Sequence, residues 1–234
     1  MNARRYAPAL TALAFACACA AALPAQMDSQ VVLNRYASKL LSLEDPKSLI
    51  FTYTVTQAGP QNIYQSHRIY RSGDMVRDET LSAGGQALHP KLTRIARYRD
   101  RYTIKNVAPR LTEYMLLFLH SRRAGKRIEY AYRAIPLGAV GAFIIEGVTI
   151  DLHTYLPSEI RFRSGNGAVR GSGVLSYAQS GKYWVPVAAA IQARVAGKLA
   201  TERIGFSGYR FPRALPRSTF QAPRPLPTAS LPPF

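Results

Sequence analysis

The sequence predicts a mainly β protein, in which one leading helix is followed by a curved antiparallel sheet of the half-barrel kind. Three observations predict it. Apolar residues recur at three- and four-residue steps near the amino terminus; from Leu49 onward the period is two in about ten separate segments; and short turns containing Gly, Pro, Asn or Ser, rather than helical crossovers, join those segments. The chain has 234 residues, 47% of them apolar, which is enough for a core that needs no staples.

The amino terminus reads as a secretory signal peptide over residues 1–25. Arg4 and Arg5 precede the uncharged, alanine-rich run Tyr6 to Leu23, and Leu23-Pro24-Ala25 supplies a small residue before Gln26. The run is too weakly hydrophobic for a good membrane anchor. Both cysteines, Cys17 and Cys19, lie inside it, so cleavage after Ala25 leaves no disulfide and no cysteine metal site; Ala14-Phe15-Ala16-Cys17 is a poor lipoprotein box. Residues 26–220 are expected to form a single domain. Seven of the 16 prolines fall between Pro212 and Phe234, so residues 221–234 are expected to be an extended, poorly ordered tail.

From Asp28 to Asp45, Val31, Val32, Tyr36, Leu40 and Leu43 share one helical face, with Asp28 or Ser29 as N-cap and Pro46 beyond the end. In Leu49 to Thr56 the aromatic and apolar residues Phe51, Tyr53 and Val55 face one side and three threonines the other, until Ala58-Gly59-Pro60 turns the chain. Ile63 to Arg71 and Met75 to Leu81 follow as strands around Ser72-Gly73-Asp74. Further strands are expected at Ile95 to Ile104, Ile128 to Ile135, Ala142 to His153, Glu159 to Arg163, Ala168 to Tyr177, Tyr183 to Val195 and Leu199 to Phe206. Leu111 to Ser121 fits a helix through Leu111, Tyr114, Met115 and Phe118, and a strand through Tyr114, Leu116, Phe118 and His120; so short a run leaves both open. Pro90 to Ala96 is the other candidate for an internal helix.

The 31 Lys+Arg against 13 Asp+Glu give a net charge of +18, or +16 once Arg4 and Arg5 are removed. Charge of that size bears on partners rather than on fold. For an exported protein it points to anionic lipid headgroups or acidic wall polymers, and nucleic acid is not an expected partner. Arg97, Arg99 and Arg101 recur at every second position and would share one face of a strand, a candidate contact for an anionic membrane surface. Arg122-Arg123-Ala-Gly-Lys126-Arg127 and Arg161-Phe162-Arg163 are further basic clusters.

Catalytic patterns are weak. Gly165-Asn-Gly167-Ala-Val-Arg-Gly171 has the wrong spacing for a phosphate loop and no helix after it, and Asn166-Gly167 reads as a hairpin turn. Asp151 and His153 share a strand face and His67 could join them, but no helical zinc pattern supports a metal site. In Arg77-Asp78-Glu79 the two carboxylates point to opposite faces, which suits a structural Arg–Glu pair better than acid–base chemistry. There is no Gly-x-Ser-x-Gly elbow and no nucleophilic cysteine outside the leader. An envelope hydrolase is therefore the least favoured reading, and no cofactor or metal is implied.

Gly147-Val-Thr-Ile-Asp151-Leu-His-Thr154-Tyr-Leu156-Pro157-Ser-Glu-Ile160-Arg-Phe162 resembles the strand, Asp, Thr, Leu-Pro, strand element of the LolA-like periplasmic carriers and sorting proteins of outer-membrane lipoproteins. The leading helix, Tyr53-Thr-Val-Thr-Gln57 and Phe206-Ser-Gly-Tyr-Arg-Phe211-Pro are also similar, and the resemblance spans Val31 to Phe220. It implies an open half-barrel, like LolA and LolB, whose concave face shelters acyl chains. It also implies a periplasmic or envelope location and no enzymatic activity; a monomer is the expected state. The matched residues themselves suit a turn, with Asp151 and Thr154 bonding to nearby backbone and Pro157 fixing the start of the next strand. The strands with the largest apolar residues on one face nominate the ligand contacts: Phe51, Tyr53 and Val55; Tyr114, Leu116 and Phe118; Ile128, Tyr130 and Tyr132. The thin lid and the high charge favour a general envelope-lipid or glycolipid binder, or a sensor of envelope stress similar to the sigma-factor regulatory members, over a strict lipoprotein shuttle. A basic envelope-associated interaction protein without a cavity is the alternative.

Overall fold

The computed structural model describes residues 27–97, 103–139, 141–166, 169–195 and 197–221. The expected signal peptide with Cys17 and Cys19, Arg99 and Arg101, Gly167, and all but the first residue of the proline-rich tail lie outside these.

The helical period near the amino terminus becomes α1 (Ser29–Ser42), whose first free amides are met by Asp28: its side chain accepts from the Gln30 N–H at 2.9 Å. The helix buries Val32, Tyr36 and Leu40 of the expected stripe and adds Leu33, while Val31 is exposed and Leu43 falls at the C-cap, beyond the helix. After it the chain forms β1 (Ser48–Ala58), β2 (Ile63–Ser72), β3 (Met75–Ala83) and β4 (Gln86–Arg97). A single turn of helix, α2 (Ile104–Val107), leads to β5 (Tyr114–Ala124), β6 (Arg127–Pro136), β7 (Phe143–Asp151) and β8 (Leu156–Asn166). Then come β9 (Val169–Ser180), β10 (Tyr183–Val195), β11 (Lys198–Arg210) and a 3-10 turn at Arg217–Phe220.

All eleven strands lie in one antiparallel sheet with the order β4-β3-β2-β1-β11-β10-β9-β8-β7-β6-β5. Two meanders meet where β11 returns beside β1, so β4 and β5 are the free edges and the sheet is open. Side chains from β5 (Leu116) through β11 (Phe206) nevertheless reach one hydrophobic cluster with α1, to which the short α2 adds Ile104 and Val107. Seven flat strands would span about 29 Å at about 4.8 Å each, far wider than a helix of about 10 Å. The sheet therefore wraps around α1, and the architecture is the curved half-barrel that the sequence predicts.

One open reading is decided and two elements differ from expectation, each for a local reason. Leu111 to Ser121 resolves to a strand, because Leu116 faces α1 while Met115, Leu117 and Leu119 stay exposed. Pro90 to Ala96 is not a helix but part of β4, where an irregularity against β3 and a cis His89–Pro90 bond accommodate a proline without a ladder amide. The strand expected from Ile95 starts earlier, at Gln86, and Ile104 belongs to α2. The Asp151–Thr154 turn forms as expected. Asp151 Oδ1 accepts from the His153 N–H at 2.8 Å, Thr154 Oγ1 accepts from the Leu156 N–H at 3.3 Å, and Tyr155 takes a positive φ of 56° between them.

A covered half and an open half of the inner face as candidate functional site

Antiparallel register carries one row of inward side chains across nearly the whole sheet. It runs Phe118, Tyr132, Val148, Ile160, Leu175, Ala189, Ile204, Val55 and Gln65, each the cross-strand partner of the next. The same row is dry at one end and wet at the other, because α1 lies over only part of it.

Beneath the helix, the inward residues of β5 to β10 are packed. Tyr132 and Ile150 are fully buried, and Tyr130 and Leu116 nearly so. The tyrosine hydroxyls do not end in a vacuum. Tyr130 donates to the Met27 carbonyl at 3.0 Å, the Ser29 hydroxyl donates to Tyr132 Oη at 3.3 Å, and Tyr36, on the helix, donates to the Pro109 carbonyl at 2.7 Å. Burial pushes the Tyr36 hydroxyl well above the usual tyrosine range and raises that of Tyr132, so both stay neutral donors or acceptors. Phe118 packs its ring against Tyr130 and Tyr132 at 5.0 and 5.8 Å. Farther along, Trp184 donates to the Pro157 carbonyl at 2.8 Å, and the Phe162 ring lies against Gly173, where a Cβ would meet it at 2.8 Å.

Beyond the helix the inner face of β11, β1, β2 and β3 is covered at one end only: Leu49, Ile69 and Arg71 are buried there, Arg71 donates to the Pro46 carbonyl, and Glu44, Asp45, Pro46 and Thr103 border the same hollow as Phe51 and Phe206. Phe51, Tyr53, Val55, Ile204 and Phe206 are half-buried there. Phe51 touches Phe206 at 6.1 Å and stacks on Tyr209 at 5.2 Å. Tyr209 reaches this face because the β1–β11 register slips between Ile50 and Thr52, opposite Gly208 with its φ of 65°. Tyr53 stacks flat on His67 at 4.6 Å, and its hydroxyl donates to Asp78 Oδ2 at 3.3 Å. His67 uses both ring nitrogens, Nδ1 on Asp78 at 2.9 Å and Nε2 on Gln65 at 3.2 Å. That group is tied into its own network, so it orients the Tyr53 ring rather than offering a free base.

The nine nominated ligand contacts therefore divide. Leu116, Tyr130 and Tyr132 are core beneath α1, with Tyr114, Phe118 and Ile128 packed at its margin. Phe51, Tyr53 and Val55 lie on the open half, and the alternating sequence did not mark Phe206 and Tyr209 as their neighbours. Ser207-Gly208 is the only signal for Tyr209, since a glycine inside a strand pattern points to a bulge. The hollow bordered by Phe51, Phe206, Tyr209 and Trp184 is small, about 60 Å³, so this half is an aromatic surface rather than a deep cavity. Arg97 is exposed at the end of β4, opposite Met75 and 3.8 Å from Asp74.

His67 on β2 is not brought to Asp151 and His153, and no three ligating side chains cluster among the described residues. Asp151 is buried and paired instead with Arg127 at 3.5 Å. Arg77 and Glu79 form the same-face ion pair expected of them, at 2.6 Å, and Arg77 also donates to the Thr219 carbonyl, which ties the 3-10 turn to β3.

No family model matches the chain, and no curated protein matches it. The solved structures it is similar to include the following. One is a domain from Vibrio parahaemolyticus described as an outer membrane lipoprotein-sorting protein (15% identity, TM-score 0.47, 80% of this chain and 95% of that one). Another is a LolA superfamily protein from Nitrosomonas europaea (12% identity, TM-score 0.40, 82% and 97%). The third is a DUF1329 family protein from Desulfovibrio piger (10% identity, TM-score 0.46, 82% and 96%). At such identities what those proteins bind does not carry over, and the function has to come from the geometry of the inner face.

Proposed function

We propose that the protein is an exported, non-enzymatic carrier that holds an acyl chain or similar amphiphile against the open half of its inner face. The observation that carries this reading is the aromatic floor of Phe51, Tyr53, Phe206 and Tyr209. It is half-buried in the middle of an eleven-stranded sheet, bordered on one side by Glu44 to Pro46 and Thr103. Aromatic rings offer a large apolar area with few rotamers to freeze, and the Tyr53 and Tyr209 hydroxyls, donating to Asp78 and to the Pro186 carbonyl, hold their rings in place. Contacts in the covered half are spent on α1, so the ligand set narrows to Phe51, Tyr53 and Val55 with Phe206 and Tyr209. The cell envelope is the place of work implied by residues 1–25. Native mass spectrometry of protein purified without detergent tests this directly: adducts of lipid mass are expected, and a clean apo mass from an envelope extract contradicts it.

A further inference from the structure

The larger hollows of the molecule are on its other face. Register places Arg161, Val174, Ala190, Arg203 and Thr56 in one outward row across β8, β9, β10, β11 and β1. A strongly twisted sheet is saddle-shaped, and here the small side chains of Val174 and Ala190 form the floor of a hollow of about 650 Å³ between Arg161 and Arg203. At the about 4.8 Å spacing of strands those two arginines stand roughly 14 Å apart. A second hollow of about 670 Å³ continues from it, bordered by Arg163, Arg170 and Arg194, with exposed Leu199 at its rim.

The charges of this groove are not balanced from within. Arg163 holds Glu146 at 3.0 Å, but Arg161, Arg170 and Arg203 make no ion pair among the described residues. The other bordering carboxylate, Glu202, lies opposite Gln57 and Ile191 in the inward register. Arg170 and Arg194 are direct cross-strand partners, both exposed, a like-charge juxtaposition that costs stability. The opposite end of the same face is built otherwise: Arg122 lies between Glu129 and Glu159 at 2.7 and 3.0 Å, and Arg127 meets Asp151. Gly147 adds a further detail, since a Cβ there would come within 3.1 Å of the Arg161 guanidinium; glycine lets that side chain lie flat over β7, where it forms the β7 edge of the groove.

We infer that this arginine-walled groove on the outer face of β8 to β11 docks the protein on a bilayer through anionic phospholipid headgroups. Several uncompensated guanidiniums around an apolar, hydroxyl-bearing floor match phosphate oxygens above and glycerol and first methylenes below, and Leu199 gives the rim an apolar contact with the interface. The inference is independent of amphiphile binding on the inner face.

Cosedimentation with mixed phosphatidylglycerol–phosphatidylcholine vesicles tests it. The double variant Arg170→Gln/Arg194→Gln is expected to lose roughly 30-fold in partition coefficient, from two basic contacts near an anionic surface, with a shallower dependence on salt. A control that removes the same charge elsewhere, Lys39→Gln/Arg110→Gln, should stay within twofold of wild type. Should the first pair disturb folding, Arg161→Gln/Arg203→Gln reads the same groove. Equal losses in groove and control variants overturn the inference, as does equal binding to phosphatidylcholine alone, or binding of the wild type to a soluble polyanionic chain but not to the vesicles. Fluorescent fatty-acid uptake measured on the same variants should be unchanged, which separates this outcome from the inner-face reading.

Discussion

The two halves of the inner face are made of the same side chains and have different fates. Tyr132 on β6 and Tyr53 on β1 both point inward from alternating aromatic strands of one sheet. The first is sealed under α1 with its hydroxyl bonded to Ser29, whereas the second lies half-open on His67. The difference is coverage. A helix of 14 residues is about 21 Å long and roughly 10 Å wide, and once it is seated on β5 to β10 it has nothing left for β1 to β4. Burial in the first half stabilises the fold, whereas the aromatic residues of the second half stay half-buried, and the proposed function rests on that remaining surface.

The sharpest way to break this comparison is to place a charge in each half. Tyr132→Asp buries an unpaired carboxylate and should cost about 3–5 kcal/mol in denaturant unfolding, while Val55→Asp on the open half should cost under about 1.5 kcal/mol. Equal losses would mean that both halves are core. Cavity-forming changes give a smaller contrast: Leu116→Ala should lose about 2–4 kcal/mol, with Val55→Ala below about 1 kcal/mol. Tyr36→Phe should cost about 1 kcal/mol, because the Pro109 carbonyl keeps its burial and loses its donor; a neutral result would place a water there.

The smallest effect concerns Glu202, whose burial holds its carboxyl above the usual glutamate range. The folded state thus binds the proton more tightly than the unfolded chain does. Its contribution is most favourable below the unfolded pKa and falls as pH rises through the folded one. Glu202→Gln should therefore raise neutral-pH stability slightly, by at most about 0.5 kcal/mol, and the gain should vanish in acid. A gain that persists at low pH would point to packing rather than charge.

Much of this was legible in the sequence, and the physical reason is period. The α1 stripe, the Phe51-Tyr53-Val55 alternation, the Asp151–Thr154 turn and the β10 boundaries follow from spacing that only one backbone geometry satisfies. What escaped is what register and coverage decide. Nothing local tells Tyr132 from Tyr53, since the helix that seals the first lies about a hundred residues from it in the chain. Tyr209 changed face through a bulge, and Pro90 entered a strand through an irregularity, both tertiary accommodations of a local rule. The arginines of the outer groove come from four strands, and only pairing reveals that Arg170 faces Arg194.

The central claim, that the open half holds an amphiphile, is tested most directly by titrating a fluorescent fatty acid into wild type and Phe51→Ser. Saturable binding to the wild type is predicted, with at least a tenfold weaker Kd, about 1.4 kcal/mol, in a variant whose Tm stays close to that of the parent. Undiminished affinity in a folded Phe51→Ser protein would contradict the account.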